Sequence, residues 1–389
     1  MSVLLWRSLG LALAAAVSLG LARFSYALLL PPMRADLQWS YLTAGNMNAV
    51  NAAGYLLGAL AMPALLARVD ARQGVLIGGA AAAVLLALHG LAPPEGVLYL
   101  LRLALGAASA ASFVGGGVLA ARLATSPAGA GRSGLVLGLY YGGTGLGIVA
   151  SALLMPAVLG RPVAHAWHAA WWVLAAAAGV ATLCTAWLTR PLAAAPMAAP
   201  KGRRVWRPLA AGLAGYFMFG LGYIGYMTFS VTLLREQQLG PGAITGFFVL
   251  LGAGVVASSW VWAGLLERAR GGRALALLNG LLALATVLPV WSSHPLAALA
   301  SGALFGGVFI SAVASTTAMV RHNLPPSHWP GGIAAFTIVF AIGQVLGPTL
   351  VGQVADGAGG LARGFVVSAA VLALGALLAA WQRPLAHEP

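Results

Sequence analysis

Long apolar stretches follow one another along almost the whole chain, leaving too few charged residues to cover a water-facing surface. Of 389 residues, 60% are hydrophobic and only 7% are Asp, Glu, Lys or Arg, at a mean hydropathy of +0.91. A soluble domain usually carries about a quarter charged residues. Surface that cannot face water must face lipid, where only helices and closed barrels satisfy every backbone N–H and C=O. A helix needs roughly 20 apolar residues to cross the hydrocarbon core. Such stretches lie near 6–31, 41–66, 74–92, 96–121, 133–158, 169–189, 208–234, 243–266, 273–291, 295–320, 331–354 and 363–381. Turn signals such as Pro93-Pro94-Glu95-Gly96 separate them. The chain therefore reads as an all-α membrane protein with twelve transmembrane helices, called spans one to twelve below.

Arg7 ahead of an alanine-rich run could begin a secretory leader. The run continues to Pro31, longer than a leader's apolar core, so span one is read as a retained helix. The single cysteine, Cys184, falls in span six and excludes an intramolecular disulfide.

A net charge of +14 would suggest nucleic acid if it formed one patch on a soluble fold. Instead it alternates with the loops. Fifteen Lys and Arg residues fall on the side of the N-terminus, from Arg7 through Arg68, Arg72 and the cluster Arg190, Lys201, Arg203, Arg204 and Arg207 to Arg383. The other side holds only four, Arg34, Arg161, Arg235 and Arg363. By the positive-inside rule both termini are cytoplasmic, in the plasma (bacterial inner) membrane. Arg23 and Arg102 are left over, inside spans.

The longest polar break, rich in proline and arginine, divides the spans six and six. It sets the expected domains: a six-helix bundle over 1–190, a basic linker over 191–207 and a second bundle over 208–389. A repeat at an offset of 200 supports the division. Gly20-Leu21-Ala22-Arg23-Phe24-Ser25-Tyr26 lines up with Gly220-Leu221-Gly222-Tyr223-Ile224-Gly225-Tyr226. Ala53-Gly54 matches Ala253-Gly254, Leu65-Leu66-Ala67-Arg68 matches Leu265-Leu266-Glu267-Arg268, and Gly106 matches Gly306. In spans five and eleven the alignment drifts to 205, pairing Gly138, Gly142 and Gly147 with Gly343, Gly347 and Gly352.

Leu101-Arg102-Leu103-Ala104-Leu105-Gly106 resembles the R-x-x-x-G element of the major facilitator superfamily, and Gly343-Gln344-Val345-Leu346-Gly347-Pro348 resembles its helix-bending element. The Arg23-Phe24-Ser25-Tyr26 block before Leu30-Pro31, with Gly220 to Ile224 later, is similar to the YbfB/YjiJ-like branch. Two pieces depart from the pattern. The stretch Ala67-Arg68-Val69-Asp70-Ala71-Arg72 replaces the usual G-x-x-x-D-R-x-G-R-R loop, and Gly143 stands where the antiporter form carries proline. The resemblance implies the major facilitator fold, two six-helix bundles related by a repeat, with a solute site near the midplane between them. It further implies a secondary transporter working by alternating access, with helix bending at Gly142, Gly347 and Pro348. For the span-four arginine, Arg102, it implies a part in gating or proton coupling.

The residues that carry chemistry are few. A cation in hydrocarbon is costly and usually faces a cavity or pairs with carbonyls, which marks Arg23 and Arg102. Asn48, Asn51 and Tyr55 share one face of span two by their spacing. Cavity lining and interhelical hydrogen bonding both explain them. Tyr26, Tyr223 and Tyr226 sit at repeat-related positions and Gln344 lies mid-span; interface anchoring is the competing account for the tyrosines. With no acidic residue inside a span, the expected solute is a small organic anion, moved with a proton, and the alternative is efflux of drug-like or sugar-like solutes. Expected partners are that solute, the bilayer and a coupling proton, with no nucleic acid, no cofactor and no metal, and the chain is read as a monomer.

Other classes fit less well. Gly131-Arg132-Ser133-Gly134 has the letters of a serine-protease motif, but no intramembrane histidine is placed to act as base. Gly252-x-Gly254-x-x-Ala257 mimics a dinucleotide fingerprint inside an apolar span with no strand before it. A membrane sensor of transporter ancestry is the remaining rival.

The charge bias makes a direct prediction. In a Cys184→Ala background, Lys201→Cys in intact cells should resist an impermeant thiol reagent and label only after lysis. Labelling from outside would reverse the topology.

Overall fold

The protein is described by a computed structural model covering residues 2–91, 93–129, 131–161, 163–190, 192 and 206–385. Most of the expected linker, including Lys201, lies outside the described residues. Among those residues every regular element is a helix, and twelve are long and apolar enough to cross a membrane. They are Val3–Leu37, Tyr41–Leu66, Ala71–His89, Glu95–Thr125, Ser133–Leu159 and Ala166–Leu188, then Arg207–Glu236, Pro241–Val261, Arg273–Trp291, Pro295–Asn323, Trp329–Ala355 and Gly360–Ala380.

Most span ends shift by a few residues from the sequence reading, and three of the shifts have a local reason. Span one does not stop at Pro31: Pro31 and Pro32 lie inside a helix, Tyr26–Leu37, which ends at Gln38 in a left-handed conformation (φ 53°). Proline's fixed φ is helical, and a packed transmembrane helix tolerates the missing N–H. Span one also contains a nine-residue π-helix, Ala16–Phe24, whose exit is marked by the Ser25 N–H bonding back to the Gly20 carbonyl at 3.1 Å. Span three begins at Ala71 rather than at residue 74, because the Asp70 carboxylate caps it by accepting from the Arg72 N–H at 2.6 Å. Span eight ends at Val261, and a short helix, Ala263–Arg268, follows Trp262. The Trp262 indole donates to the Gly307 carbonyl at 2.7 Å, which fixes that corner.

The chain forms two compact units: residues 1–38 with 50–199, and 39–49 with 200–389. In the first, span three packs on spans four and six, and span one on spans five and six. In the second, span nine packs on spans ten and twelve, and span seven on spans eleven and twelve. Adding six to each span of the first unit generates the second, so the repeat seen in the sequence is a repeat of packing.

Glycine makes the closest of these contacts. A Cβ on Gly54 would run into the Leu103 carbonyl and one on Gly106 into the Asn51 carbonyl, so spans two and four cross backbone on backbone. Spans eight and ten repeat this, with Gly254 against the Gly307 nitrogen and Gly306 against the Leu251 carbonyl. Within a bilayer no hydrophobic effect pushes helices together, so close van der Waals contact through small residues carries the association. Spans five and eleven use glycine in the same way. Gly143 and Gly147 meet the Ala12 and Ala16 carbonyls of span one, and Gly343 and Gly347 meet those of Phe217 and Leu221 in span seven.

Gly54→Ala and Gly306→Ala should each lower unfolding stability by about 1–3 kcal/mol, the usual cost of overpacking. Gly280→Ala, where nothing lies within 4 Å of the added Cβ, should leave stability unchanged or higher. Thermal unfolding of the purified variants measures both.

Candidate functional site

Both intramembrane arginines are buried in the first unit, Arg102 at 1% and Arg23 at 3% exposure. The crossing at Gly54 and Gly106 brings span two onto the turn of span four that carries Arg102, and the Asn51 amide donates to the Arg102 carbonyl at 3.0 Å. The Arg102 guanidinium carbon lies 4.4 Å from the centre of the Tyr26 ring. The Arg23 guanidinium, on the last turn of the π-helix, lies 5.7 Å from the Tyr55 ring and 5.8 Å from Phe24. Each cation thus rests against an aromatic face. Such contacts contribute about 0.5–2 kcal/mol, against an insertion cost of about 2.5–3.5 kcal/mol for a mid-membrane arginine. A guanidinium stacked on a ring still directs its N–H groups outward in its own plane, toward an acceptor.

Of the sequence candidates, Arg23, Tyr26, Asn51, Tyr55 and Arg102 come together in this cluster. Asn48 does not, although it shares a helix face with Asn51 and Tyr55. Its amide donates to the Thr228 hydroxyl at 2.6 Å, and both residues belong to the second unit. The segment 39–49 has further partners there: the Asp356 carboxylate accepts from the Tyr41 and Leu42 N–H groups at 2.7 and 2.9 Å, and the Thr349 hydroxyl donates to Asn46 at 2.8 Å. Asp356 thereby caps a helix more than 300 residues away. Asp356 and Thr228 were not among the candidates: Asp356 stands at the edge of an apolar run, and Thr228 is a hydroxyl inside one.

Tyr223 and Tyr226 are packed by aromatic neighbours in the second unit. Tyr223 stacks between Phe219 at 4.9 Å and Phe309 at 5.3 Å, with Phe340 at 5.6 Å. Tyr226 stacks on Phe305 at 4.0 Å, and its hydroxyl is 2.6 Å from that of Ser301, which in turn donates to the Ala285 carbonyl. Gln344 is buried in span eleven, and Pro348 lies within that helix with its carbonyl against Gly45. Gly142 is buried in span five. His89, in span three, faces its own Leu85 carbonyl at 2.7 Å and lies on Trp171. No group of His, Cys, Asp and Glu able to hold a metal occurs among the described residues.

Known proteins match this architecture. Residues 15–380 match the family described as "Uncharacterised MFS-type transporter YbfB". Among solved structures, a bacterial homologue of the human lysosomal transporter Spinster, inward-facing and unoccupied, superposes with a TM-score of 0.73 at 13% identity, over 97% of this chain and 96% of that one. The nucleoside transporter NupG superposes with a TM-score of 0.70 at 14% identity, over 97% and 98%. At these identities the likeness is one of fold. No curated protein matches the chain.

Because the Tyr226 hydroxyl is spent on Ser301, Tyr226→Phe should cost about 0.5–1.5 kcal/mol of stability, the usual net worth of one hydrogen bond. Thermal unfolding should show this loss at the same size with or without any solute that stabilises the protein.

Proposed function

The chain belongs to the YbfB-type family of major facilitator transporters, and on that premise we propose that it moves a small organic anion across the cytoplasmic membrane by alternating access. The observation that carries this reading is the pair of buried guanidiniums, each laid against an aromatic ring in the first unit. The acidic residues are elsewhere in the sequence. Asp36, Asp70, Glu95, Glu236, Glu267, Asp356 and Glu388 all fall at span ends or outside the spans. The planar fork of arginine suits a carboxylate or phosphate in bidentate geometry, and such charge-assisted bonds are strongest where water is excluded.

The direction of charge supports a coupling ion as well. Bringing one negative charge into a cell against an inside-negative potential costs about 2.3 kcal/mol per 100 mV. A proton moving with the anion cancels that cost, so this reading couples solute to proton. The arginine bias of the loops supports cytoplasmic termini in this reading.

The test is a screen of monocarboxylates, phosphate esters, sugars and organic cations for thermal stabilisation of the purified protein, followed by uptake of each hit into liposomes. A ligand that binds only the folded state raises its apparent stability. Arg102→Gln should weaken binding of an anionic hit by roughly tenfold or more, consistent with the ~1.5–3 kcal/mol of a charged hydrogen bond. Arg102→Lys should recover part of it, and Arg23→Gln should behave in the same direction. A cationic substrate, or unchanged affinity in both neutral variants, would sink the proposal.

A further inference from the structure

At the end of the first unit that carries the N-terminus, spans one and six enclose a groove of about 400 Å³. It is lined by Val3, Trp6, Arg7, Trp187, Leu188 and Arg190. Just beyond it the two helices press together at Gly10, where a Cβ would lie 2.8 Å from that of Leu188, and the Thr185 hydroxyl donates to the Gly10 carbonyl at 3.0 Å. The groove therefore has a closed inner end. At its mouth Trp6 and Trp187 are 56% and 66% exposed.

Among the described residues its two arginines have no structural task that the fold displays. Arginine near a helix C-terminus ordinarily binds the last carbonyls, but in span six that place is taken. Arg72 donates from Nε to the Thr189 carbonyl at 3.1 Å and from Nη2 to that of Ala186 at 2.7 Å. The carboxylate nearest in sequence on this side, Asp70, is engaged in capping span three. The Arg7 Nε is buried and has no hydrogen-bond partner among the described residues. A buried donor of this kind calls for an acceptor. Beside it are two tryptophans, the residues enriched where hydrocarbon meets headgroups.

We infer that this groove holds one anionic phospholipid, its phosphate between Arg7 and Arg190 and its upper acyl chain along Trp6, Trp187 and Leu188. Basic pockets between transmembrane helices recognise acidic headgroups in this way. The guanidinium fork reads the phosphate, and the absence of a carboxylate from the lining gives no partner to the choline of a zwitterionic lipid. The inference is independent of the solute and of the coupling ion.

Native mass spectrometry of the full chain, purified in detergent and titrated with phosphatidylglycerol or phosphatidylcholine of matched acyl chains, tests it. One phosphatidylglycerol should be retained in preference to phosphatidylcholine. Arg7→Gln/Arg190→Gln should weaken retention by roughly twenty-five-fold, about fivefold for each arginine near a membrane surface. Leu188→Trp, which fills the groove and keeps both charges, should displace the lipid too. Arg270→Gln/Arg273→Gln, a basic pair of the second unit, should retain it. Equal retention by the wild type and the Arg7/Arg190 variant, equal retention of the two lipids, or equal loss in the Arg270/Arg273 variant would each overturn the inference.

Discussion

Helices in a bilayer gain nothing from hiding apolar surface, so they must fit one another closely enough for dispersion alone to hold them. Here that fit is made where side chains are absent. Gly54 and Gly106 let spans two and four meet backbone to backbone, Gly254 and Gly306 do so for spans eight and ten, and Gly20 with Gly147 for spans one and five. The polar cluster around Arg102 is placed by the crossing of spans two and four. Asn51 reaches the Arg102 carbonyl because its own backbone lies on Gly106. The chemistry of the cluster and the packing of the bundle are thus one arrangement.

Much of this was legible in the sequence, and for a physical reason. Hydrocarbon thickness sets the length of a span, so the boundaries of Tyr41–Leu66 and Arg273–Trp291 follow from composition alone. Glycine pairs at the offset of 200 mark the crossings because only glycine permits them. What was hidden depends on partners. The π-helix of span one has no composition of its own; its i→i+5 register comes with the packing of Gly20 on Gly147. Periodicity puts Asn48 and Asn51 on one face, yet it cannot tell that one amide goes to Thr228 and the other to the Arg102 carbonyl. In spans five and eleven the letters align at 205 rather than 200, and the letters alone do not say which glycine meets which turn of the neighbouring span. With 52 glycines in the chain, identity alone is a weak guide to register.

Arginine is used in three different ways in one six-helix unit. Arg72 closes the C-terminus of span six through two carbonyls. Arg23 and Arg102 are held in the interior on aromatic faces. Arg7 and Arg190 line a groove between tryptophans at the unit's edge. What separates these roles is the acceptor each guanidinium meets: a helix end, a ring, or the boundary with lipid. A count of basic residues by loop bears on orientation alone; it ignores these differences and so says nothing about recognition.

The π-helix has an evolutionary consequence. A wider turn accommodates an extra residue without rotating the helix on either side of it, and it can give that residue up again by returning to the i→i+4 ladder. Between Ala16 and Phe24 span one carries such slack, with Arg23 in its last turn and the Ser25 N–H bonding back to Gly20 at its exit. A single-residue deletion there would be absorbed locally, leaving Tyr26 and the helix beyond it in register. In an unbroken α-helical span a lost residue would instead turn every following side chain away from its partner.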